Sequence, residues 1–134
     1  MKKILIVEDD KMIADNLRQI VELLGYRALP EARSYDEALQ LFDRHSPDLV
    51  TLDVQLKGEK TGIDMAHYIR THGTVPFLFL TAQTGEGLME KAVETNPSAY
   101  LTKPFTIAEL KAVLDKVFES ELNQRTVGPK LYDC

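Results

Sequence analysis

The sequence predicts a single α/β domain built around a doubly wound parallel β-sheet. Short apolar runs alternate with segments of helical periodicity along the 134 residues, which is the pattern of consecutive β–α units. Most of these runs are apolar at almost every position, as in strands that helices cover on both faces. Acidic, hydroxyl and lysine side chains follow several of the runs, at the edge where open α/β sheets bind ligands.

The composition predicts a folded domain in a reducing compartment. The chain is 44% hydrophobic and 28% charged, which is typical of globular proteins and untypical of disordered ones. A formal net charge of −5 argues against direct binding to nucleic acid or to an anionic membrane surface. Cys134 is the single cysteine, so no disulfide can form within the chain and a cytoplasmic location is expected. The apolar run after Lys3 is too short for a signal peptide, and no segment is long enough to span a membrane.

The first half of the chain predicts three strands joined by two helices. The strands are predicted at residues 4–7, 26–29 and 48–53. The first helix has apolar residues at three- and four-residue steps, with Asp10 as its expected cap and Gly25 as its stop. The second helix begins with a capping-box pattern, in which the Ser34 hydroxyl bonds the third helical amide and Glu37 reaches back to the Ser34 amide.

The second half of the chain predicts two further strands and three helices. The strands are predicted at residues 77–80 and 99–101. The third helix is expected to begin at Thr61 and to stop at Gly73. The fourth, predicted at residues 84–94, has the weakest signal, because Gly85 and Gly87 each cost about 1 kcal/mol relative to alanine in a helix interior.

The last helix begins with another capping-box pattern, from Thr106 to Glu109. Its predicted apolar face contains Ile107, Leu110, Val113 or Leu114, and Val117. The periodicity stops near Asn123, so residues 1–122 are predicted to form the domain and residues 123–134 a tail or a truncated linker. Five parallel strands with right-handed crossovers favour the flavodoxin-like order 2-1-3-4-5, with five helices on both faces.

In this topology the carboxyl ends of the strands bring polar residues to one edge. These residues are Glu8, Asp9 and Asp10 after the first strand, Asp53 after the third, Thr81 and Ala82 after the fourth, and Lys103 after the fifth. Carboxylates that are packed together repel, so some of their pKa values are expected to rise unless a cation joins them. Mg²⁺ (or Mn²⁺) suits such a site, because a hard cation binds carboxylates, waters and phosphate oxygens.

The same residues suit phosphoryl transfer to a carboxylate. Beside a divalent cation, Asp53 stays ionised and can act as a nucleophile, as carboxylates do in aspartyl-phosphate enzymes. The transition state spreads negative charge over three phosphoryl oxygens. The cation would bind one oxygen, Lys103 a second, and the Thr81 hydroxyl with the Ala82 amide a third.

This set of residues resembles the signature of the receiver domain of bacterial two-component response regulators, the chemotaxis-Y-like domain. The resemblance covers residues 2 to about 120 and rests on Glu8-Asp9, Asp53, Thr81-Ala82 and Lys103-Pro104-Phe105. It implies that Asp53 is the phosphoacceptor, that Asp9 binds the metal directly and that Glu8 acts largely through water. It also implies a metal contact from the backbone carbonyl of Gln55 and a cis peptide bond before Pro104.

The resemblance further implies a signalling switch. A sensor histidine kinase or a phosphotransfer protein donates the phosphoryl group, after which Thr81 turns toward that group and Tyr100 follows. The face built by the fourth helix, the fifth strand and the last helix then changes partners. The expected partners are a downstream effector or a fused output domain not in this chain, and phosphorylation-dependent homodimers are a further expectation. The domain is expected to catalyse only its own phosphorylation and dephosphorylation, with Gln55 and Gln83 influencing the second rate.

Two segments depart from the family pattern. Lys57 stands where many members have proline, in a loop that is one residue longer than the commonest form. The segment Gly85-Glu86-Gly87 is unusual for the start of the fourth helix. The longer loop leaves the registration of Gly62 with the family pattern open. The second segment does not touch the predicted catalytic set, but it leaves the shape of the signalling face open.

Three alternatives are compatible with parts of the pattern. A phosphatase of the haloacid-dehalogenase type also forms an aspartyl phosphate. Its nucleophile, however, follows the first strand and has a second Asp two residues later, a pattern that Glu8-Asp9-Asp10 lacks. A flavodoxin-type or dinucleotide-binding module needs a phosphate-cradling loop after the first strand, where Glu8-Asp9-Asp10 would repel phosphate. A pseudo-receiver would act as a binding module without phosphorylation, and the intact acid set argues against it.

Overall fold

The computed structural model describes residues 1–82 and 87–126, with side chains described up to residue 120. Its strands are β1 (Lys3–Val7), β2 (Arg27–Ala28), β3 (Leu49–Leu52), β4 (Phe77–Thr81) and β5 (Ala99–Thr102). Its helices are α1 (Lys11–Leu23), α2 (Tyr35–His45), α3 (Gly62–Thr71), α4 (Leu88–Glu94) and α5 (Ile107–Thr126). Within the described residues the five strands pair in parallel in the order β2-β1-β3-β4-β5. The predicted flavodoxin-like fold with five helices is therefore confirmed.

Helices cover both faces of the sheet, because successive side chains of a strand point to opposite faces and both sets are apolar here. On one face lie the buried helix residues of α2, α3 and α4, namely Ala38, Phe42, Ile63, Met65, Ala66, Ile69 and Ala92. On the other face lie those of α1 and α5, namely Ala14, Leu17, Val21, Leu110, Leu114 and Val117. The three inner strands are thus enclosed along their length, and their carboxyl ends form the edge that carries the polar residues.

Side-chain caps determine where two of the helices begin, as the sequence predicts. Asp10 caps α1, because its carboxylate accepts hydrogen bonds from the amides of Met12 and Ile13 at 2.9 and 3.2 Å. At α3, the Thr61 hydroxyl accepts from amides of the first turn, and the Asp64 carboxylate accepts from the Thr61 amide at 2.7 Å. These bonds satisfy helix amides that otherwise lack partners.

The capping-box predictions for α2 and α5 have different outcomes. At α5 the box is complete, since the Thr106 amide donates to the Glu109 carboxylate at 2.8 Å and the Glu109 amide donates to the Thr106 hydroxyl at 3.0 Å. At α2 the Glu37 amide donates to the Ser34 hydroxyl at 3.2 Å, as predicted. The Glu37 carboxylate, however, accepts from the Arg33 amide at 2.8 Å. The predicted bond to the Ser34 amide is therefore wrong, because the carboxylate reaches one residue further back to an equivalent donor.

The second strand is shorter than predicted, and the prediction for the fourth helix is only partly covered by the described residues. Within the described residues β2 contains only residues 27–28, and Ala32 then forms an isolated parallel bridge with Val7. The helix α4 begins at Leu88, after Gly87 with a φ of 85°, and no side-chain cap bonds its first turn. The predicted start at residues 84–86 lies outside the described residues.

The last helix is longer than predicted. It continues past Asn123 to Thr126, and residues 127–134 of the predicted tail lie outside the described residues. Leu110 is fully buried, but Ile107, predicted on the same apolar face, is 45% exposed in the first turn. In the part of the chain that the structure covers, no helix combines the length and apolar character that crossing a bilayer requires.

Candidate functional site

The sheet brings the residues that follow β1 and β3 into contact. Val7 pairs with Leu52 at the carboxyl ends of these neighbouring strands. The Asp53 amide, one residue further on, donates to the Val7 carbonyl at 3.0 Å. Glu8 and Asp9 follow Val7 directly, so the acids of the two strands lie side by side at the carboxyl edge.

Three donor groups surround the carboxylate of Asp53. The Thr81 hydroxyl donates to Oδ1 at 2.9 Å, and the Gln55 amide donates to the same oxygen at 3.1 Å. The ammonium of Lys103 lies 3.7 Å from Oδ2, and the Asp53 side chain is 13% exposed. The fold therefore holds one carboxylate oxygen with neutral donors and turns the other toward a cation.

Glu8 is the most buried charged side chain of the site, with 2% of its surface exposed. The Lys103 ammonium donates to its Oε1 at 2.7 Å, and the Asp10 amide donates to Oε2 at 3.2 Å. Burial raises the pKa of Glu8 to about 7, although the hydrogen bond from Lys103 opposes the rise, and the negative charge of Asp53 adds to it. The pKa of Glu8 is therefore raised mainly by burial, and the repulsion expected between packed acids makes a smaller contribution.

Lys103 bridges the two acids from the far side of the site. Its amide donates to the Thr81 carbonyl at 2.8 Å, which continues the pairing of β4 with β5. The peptide bond that joins it to Pro104 is cis, as predicted. Its ammonium lies closer to Glu8, at 2.7 Å, than to Asp53, at 3.7 Å. The sequence identified the lysine but not this pairing, because a partner 95 positions away leaves no local signal.

The carboxylates of the site are arranged as metal ligands could be. One oxygen from each of Glu8, Asp9 and Asp53 lies within 4.8 Å of the others. An all-oxygen set of this kind suits a hard divalent cation. Gln55, whose carbonyl was predicted to join the set, lies two residues after Asp53 and has an exposed side chain. Gln83, which was predicted to act with Gln55 in dephosphorylation, lies outside the described residues.

Thr81 and Tyr100 lie on the same face of the sheet. Tyr100 pairs with Phe79 across β4 and β5, and their ring centroids are 5.8 Å apart. Thr81 stands two residues after Phe79 on the same strand, so its side chain points to the same face. Tyr100 is half-buried there against residues that α2, α3 and α4 cover. The predicted switch pair therefore occupies diagonal positions on neighbouring strands.

Gly62 also belongs to the site, although the sequence analysis assigned it no role there. A Cβ atom at this position would lie 1.8 Å from the backbone oxygen of Asp53. The available signal was a glycine directly after the N-cap Thr61, at the first position of a helix. A glycine at this position is compatible with a helix start, but the sequence alone does not reveal which distant atoms lie close to it.

Comparisons with known sequences match one family over most of the chain. The sequence model of the family described as "Response regulator receiver domain" matches residues 4–115. The transcriptional regulatory protein PdtaR of Mycobacterium tuberculosis is 37% identical over 109 residues, which cover 81% of this chain and 53% of PdtaR. The transcriptional regulatory protein CpxR of Escherichia coli is 34% identical over 128 residues, which cover 92% of this chain and 54% of CpxR. The chain spans about half the length of these curated relatives.

Solved structures agree with the fold over nearly the whole chain. The signal receiver domain of a modulated diguanylate cyclase from Desulfovibrio desulfuricans matches with a TM-score of 0.86 and 27% identity, covering 92% of this chain and 98% of that domain. The BeF3-activated N-terminal receiver domain of Klebsiella pneumoniae RstA matches with a TM-score of 0.78 and 27% identity, covering 85% and 96%. Both matched chains are covered almost completely.

Proposed function

The chain belongs to the response regulator receiver-domain family, and we propose that Asp53 is the carboxylate on which it accepts a phosphoryl group. The observation that carries this proposal is the environment of the Asp53 carboxylate. A hydroxyl donor lies at 2.9 Å, an ammonium at 3.7 Å, and two further acids offer oxygens within 4.8 Å. A carboxylate nucleophile must be ionised, and the phosphoryl group it attacks needs positive charge and donors around its oxygens. The site contains groups for both requirements.

Glu8, Asp9 and Asp53 are proposed to hold Mg²⁺ or Mn²⁺, with the carbonyl of Gln55 as a further ligand. When bound, the cation supplies positive charge that offsets the repulsion between the carboxylates and an incoming phosphoryl group. The placement of one oxygen from each of these three acids within 4.8 Å of the others supports this assignment.

The proposed donor is a phosphohistidine on a sensor histidine kinase or on a phosphotransfer protein. An oxygen of Asp53 attacks phosphorus, the new O–P bond forms, and the P–N bond breaks with its electron pair going to the imidazole. The ammonium of Lys103, now bonded to Glu8, is close enough to turn toward one phosphoryl oxygen. The Thr81 hydroxyl donates to the Asp53 carboxylate before phosphorylation. After phosphorylation it can donate instead to a second phosphoryl oxygen, together with the Ala82 amide.

Phosphorylation is proposed to act as a switch through Thr81. When the Thr81 hydroxyl turns from the Asp53 carboxylate to the phosphoryl group, it vacates space on the face of the sheet that Thr81 shares with Tyr100. The Tyr100 ring then moves inward, and the surface of α4, β5 and α5 changes its partners. The partner is proposed to be a downstream effector or a fused output domain, and a second copy of the domain is a further candidate.

The domain is proposed to act chemically only on its own acceptor, as a cytoplasmic signalling protein. Its net charge of −5 supports a role that does not include direct nucleic-acid or membrane binding by this domain. No finding in the comparisons favours a phosphatase of the haloacid-dehalogenase type. A pseudo-receiver is disfavoured because the acids, the hydroxyl and the lysine are all in place around Asp53.

Intact-mass spectrometry of the wild-type chain tests the proposal. With a small-molecule phosphodonor and Mg²⁺, we expect the mass to rise by one phosphoryl group. With a chelator in place of Mg²⁺, we expect no rise, because the repulsion around Asp53 is then uncompensated. A chain that gains no phosphoryl group under either condition, or gains it equally under both, would contradict the proposed site.

A further inference from the structure

Gly62 lies directly against the peptide group that follows the acceptor carboxylate. A Cβ atom on Gly62 would lie 1.8 Å from the backbone oxygen of Asp53, 2.8 Å from its carbonyl carbon and 3.2 Å from the Cα of Val54. Real Cβ atoms essentially never approach other heavy atoms to less than 3.0 Å. Glycine is required here for space, since Gly62 is the first residue of α3 and needs no left-handed backbone.

The backbone at the acceptor is held from two sides. On the side of the sheet, the Asp53 amide donates to the Val7 carbonyl at 3.0 Å. On the side of α3, the Gly62 amide donates to the Val54 carbonyl at 2.9 Å. The Val54 side chain is buried, with 1% of its surface exposed. The peptide groups on either side of the Asp53–Val54 peptide are therefore hydrogen-bonded, one to β1 and the other to α3.

The helix turn that carries Gly62 is itself rigidly placed. The Thr61 and Asp64 capping box ties the turn together, with the Thr61 amide bonded to the Asp64 carboxylate at 2.7 Å. Met65, Ala66 and Ile69 anchor the rest of α3 in the core, each with no exposed surface. Because the helix is anchored in this way, a side chain at residue 62 would strain the backbone at Asp53.

We propose that Gly62 is a positioning residue for phosphoryl acceptance. It lets the first turn of α3 touch the Asp53–Val54 peptide, and that contact fixes the direction of the Asp53 carboxylate toward Thr81 and Lys103. This inference rests on the proposed function of Asp53 and deepens it.

The same contact separates the acceptor from the exposed loop that follows it. The Gly62–Val54 hydrogen bond closes the base of this loop, and the exposed residues 57–60 lie outside the closure. The loop departs from the family pattern in length and at Lys57, yet the carboxylate still reaches Thr81 at 2.9 Å. Changes in the loop are therefore expected to leave phosphoryl acceptance intact.

The test compares Gly62→Ala with Gly58→Ala in the full chain. Gly58 lies in the same loop at a φ of +103°, with nothing within 4 Å of an added Cβ, so its substitution strains the backbone without touching the acceptor. Phosphorylation is followed by intact mass at saturating Mg²⁺ over a range of phosphodonor concentrations. Urea unfolding gives the folded fraction of each variant, and rates are divided by that fraction.

For Gly62→Ala we expect the rate constant at saturating donor to fall at least about tenfold, since a displacement near 1 Å from productive geometry has effects of this size or larger. For Gly58→Ala we expect the wild-type rate constant. If Gly62→Ala does not fold, Asp64→Ala takes its place, because it loosens the same turn without a clash and is expected to slow the reaction.

Each outcome bears on a different statement. A folded Gly62→Ala chain with the wild-type rate constant overturns the positioning role, as does an Asp64→Ala chain with that rate constant where Gly62→Ala cannot be folded. An equal loss in Gly58→Ala also overturns it, since a general effect of loop strain would then suffice. Failure of the wild-type chain to accept a phosphoryl group contradicts the proposed function of Asp53 itself, before any variant is compared.

Discussion

Substitution of Asp53 by asparagine is expected to abolish phosphoryl addition while leaving the fold intact. An amide oxygen is a poor nucleophile, and the substitution removes the charge that the donors around the site are arranged to receive. Asparagine keeps the shape of the side chain. Its oxygen can still accept the hydrogen bonds that Thr81 and Gln55 donate to Asp53 at 2.9 and 3.1 Å in the wild-type chain. Intact mass after incubation with a small-molecule phosphodonor and Mg²⁺ measures the effect directly.

Asp10→Asn is the matched control for this prediction. Asp10 belongs to the same acidic run, but its exposed carboxylate caps α1 through the amides of Met12 and Ile13. Asparagine is an equally good cap, so the variant changes the charge by the same amount at a position without an acceptor role. We expect it to gain one phosphoryl group. Addition to Asp53→Asn, or loss of addition in Asp10→Asn, would contradict the assignment.

Substitution of Lys103 by methionine has the second largest expected effect, because it acts on chemistry and on stability together. We expect phosphorylation to slow by at least about 100-fold, the usual loss when one preorganised donor to a developing charge is removed. The free energy of unfolding at pH 8 is expected to fall by about 1–3 kcal/mol, because the buried carboxylate of Glu8 loses a charged hydrogen-bond partner. Urea denaturation and intact-mass kinetics measure the two effects separately.

The loss of stability in Lys103→Met is expected to depend on pH. The folded-state pKa of Glu8 is raised to about 7 in the wild-type chain, above its ordinary value, and removal of the lysine raises it further. Glu8 is then mostly neutral in both proteins near pH 6, where it needs no counter-ion. The difference in unfolding free energy between variant and wild type should therefore be largest near pH 8 and shrink as the pH falls toward 6. A difference that grows as the pH falls would contradict this explanation.

The double variant Glu8→Gln/Lys103→Met separates the two roles of the lysine. Glutamine keeps the volume of Glu8 without a charge, so the stability lost in Lys103→Met should be largely restored. Phosphorylation should remain slow, because the double variant lacks the cation at residue 103 and also one of the proposed metal ligands at residue 8. Recovery of the reaction together with stability would mean that Lys103 acts only through the fold.

The fold could be predicted from local patterns because its main determinants are local. The apolar runs of β1, β3 and β4 are enclosed on both faces and therefore carry little polar alternation. Side-chain caps such as Asp10 and Thr61 lie within three residues of the amides they bond. The order of the strands then follows from the handedness of β–α–β crossovers and brings Asp53 beside Glu8.

The contacts that tune the site could not be predicted in the same way, because they join residues far apart in the chain. Whether Lys103 pairs with Glu8 or with Asp53 depends on distances between residues that follow three different strands. The need for glycine at residue 62 depends on the position of the Asp53 carbonyl. Even over a short range the outcome was not predicted. The Glu37 carboxylate accepts from the Arg33 amide and not from the predicted Ser34 amide, because both are backbone amides close to it in the chain.

The most direct measurement for Asp53 is chemical mapping of the phosphorylated chain. Borohydride reduces an acyl phosphate to an alcohol, so a phosphorylated aspartate becomes homoserine while free carboxylates stay unchanged. After phosphorylation with Mg²⁺, reduction and proteolysis, tandem mass spectrometry is expected to locate homoserine at residue 53 alone. Reduction at Asp9 or at another acid, or a phosphorylated chain in which residue 53 stays aspartate, would contradict the claim that Asp53 is the acceptor.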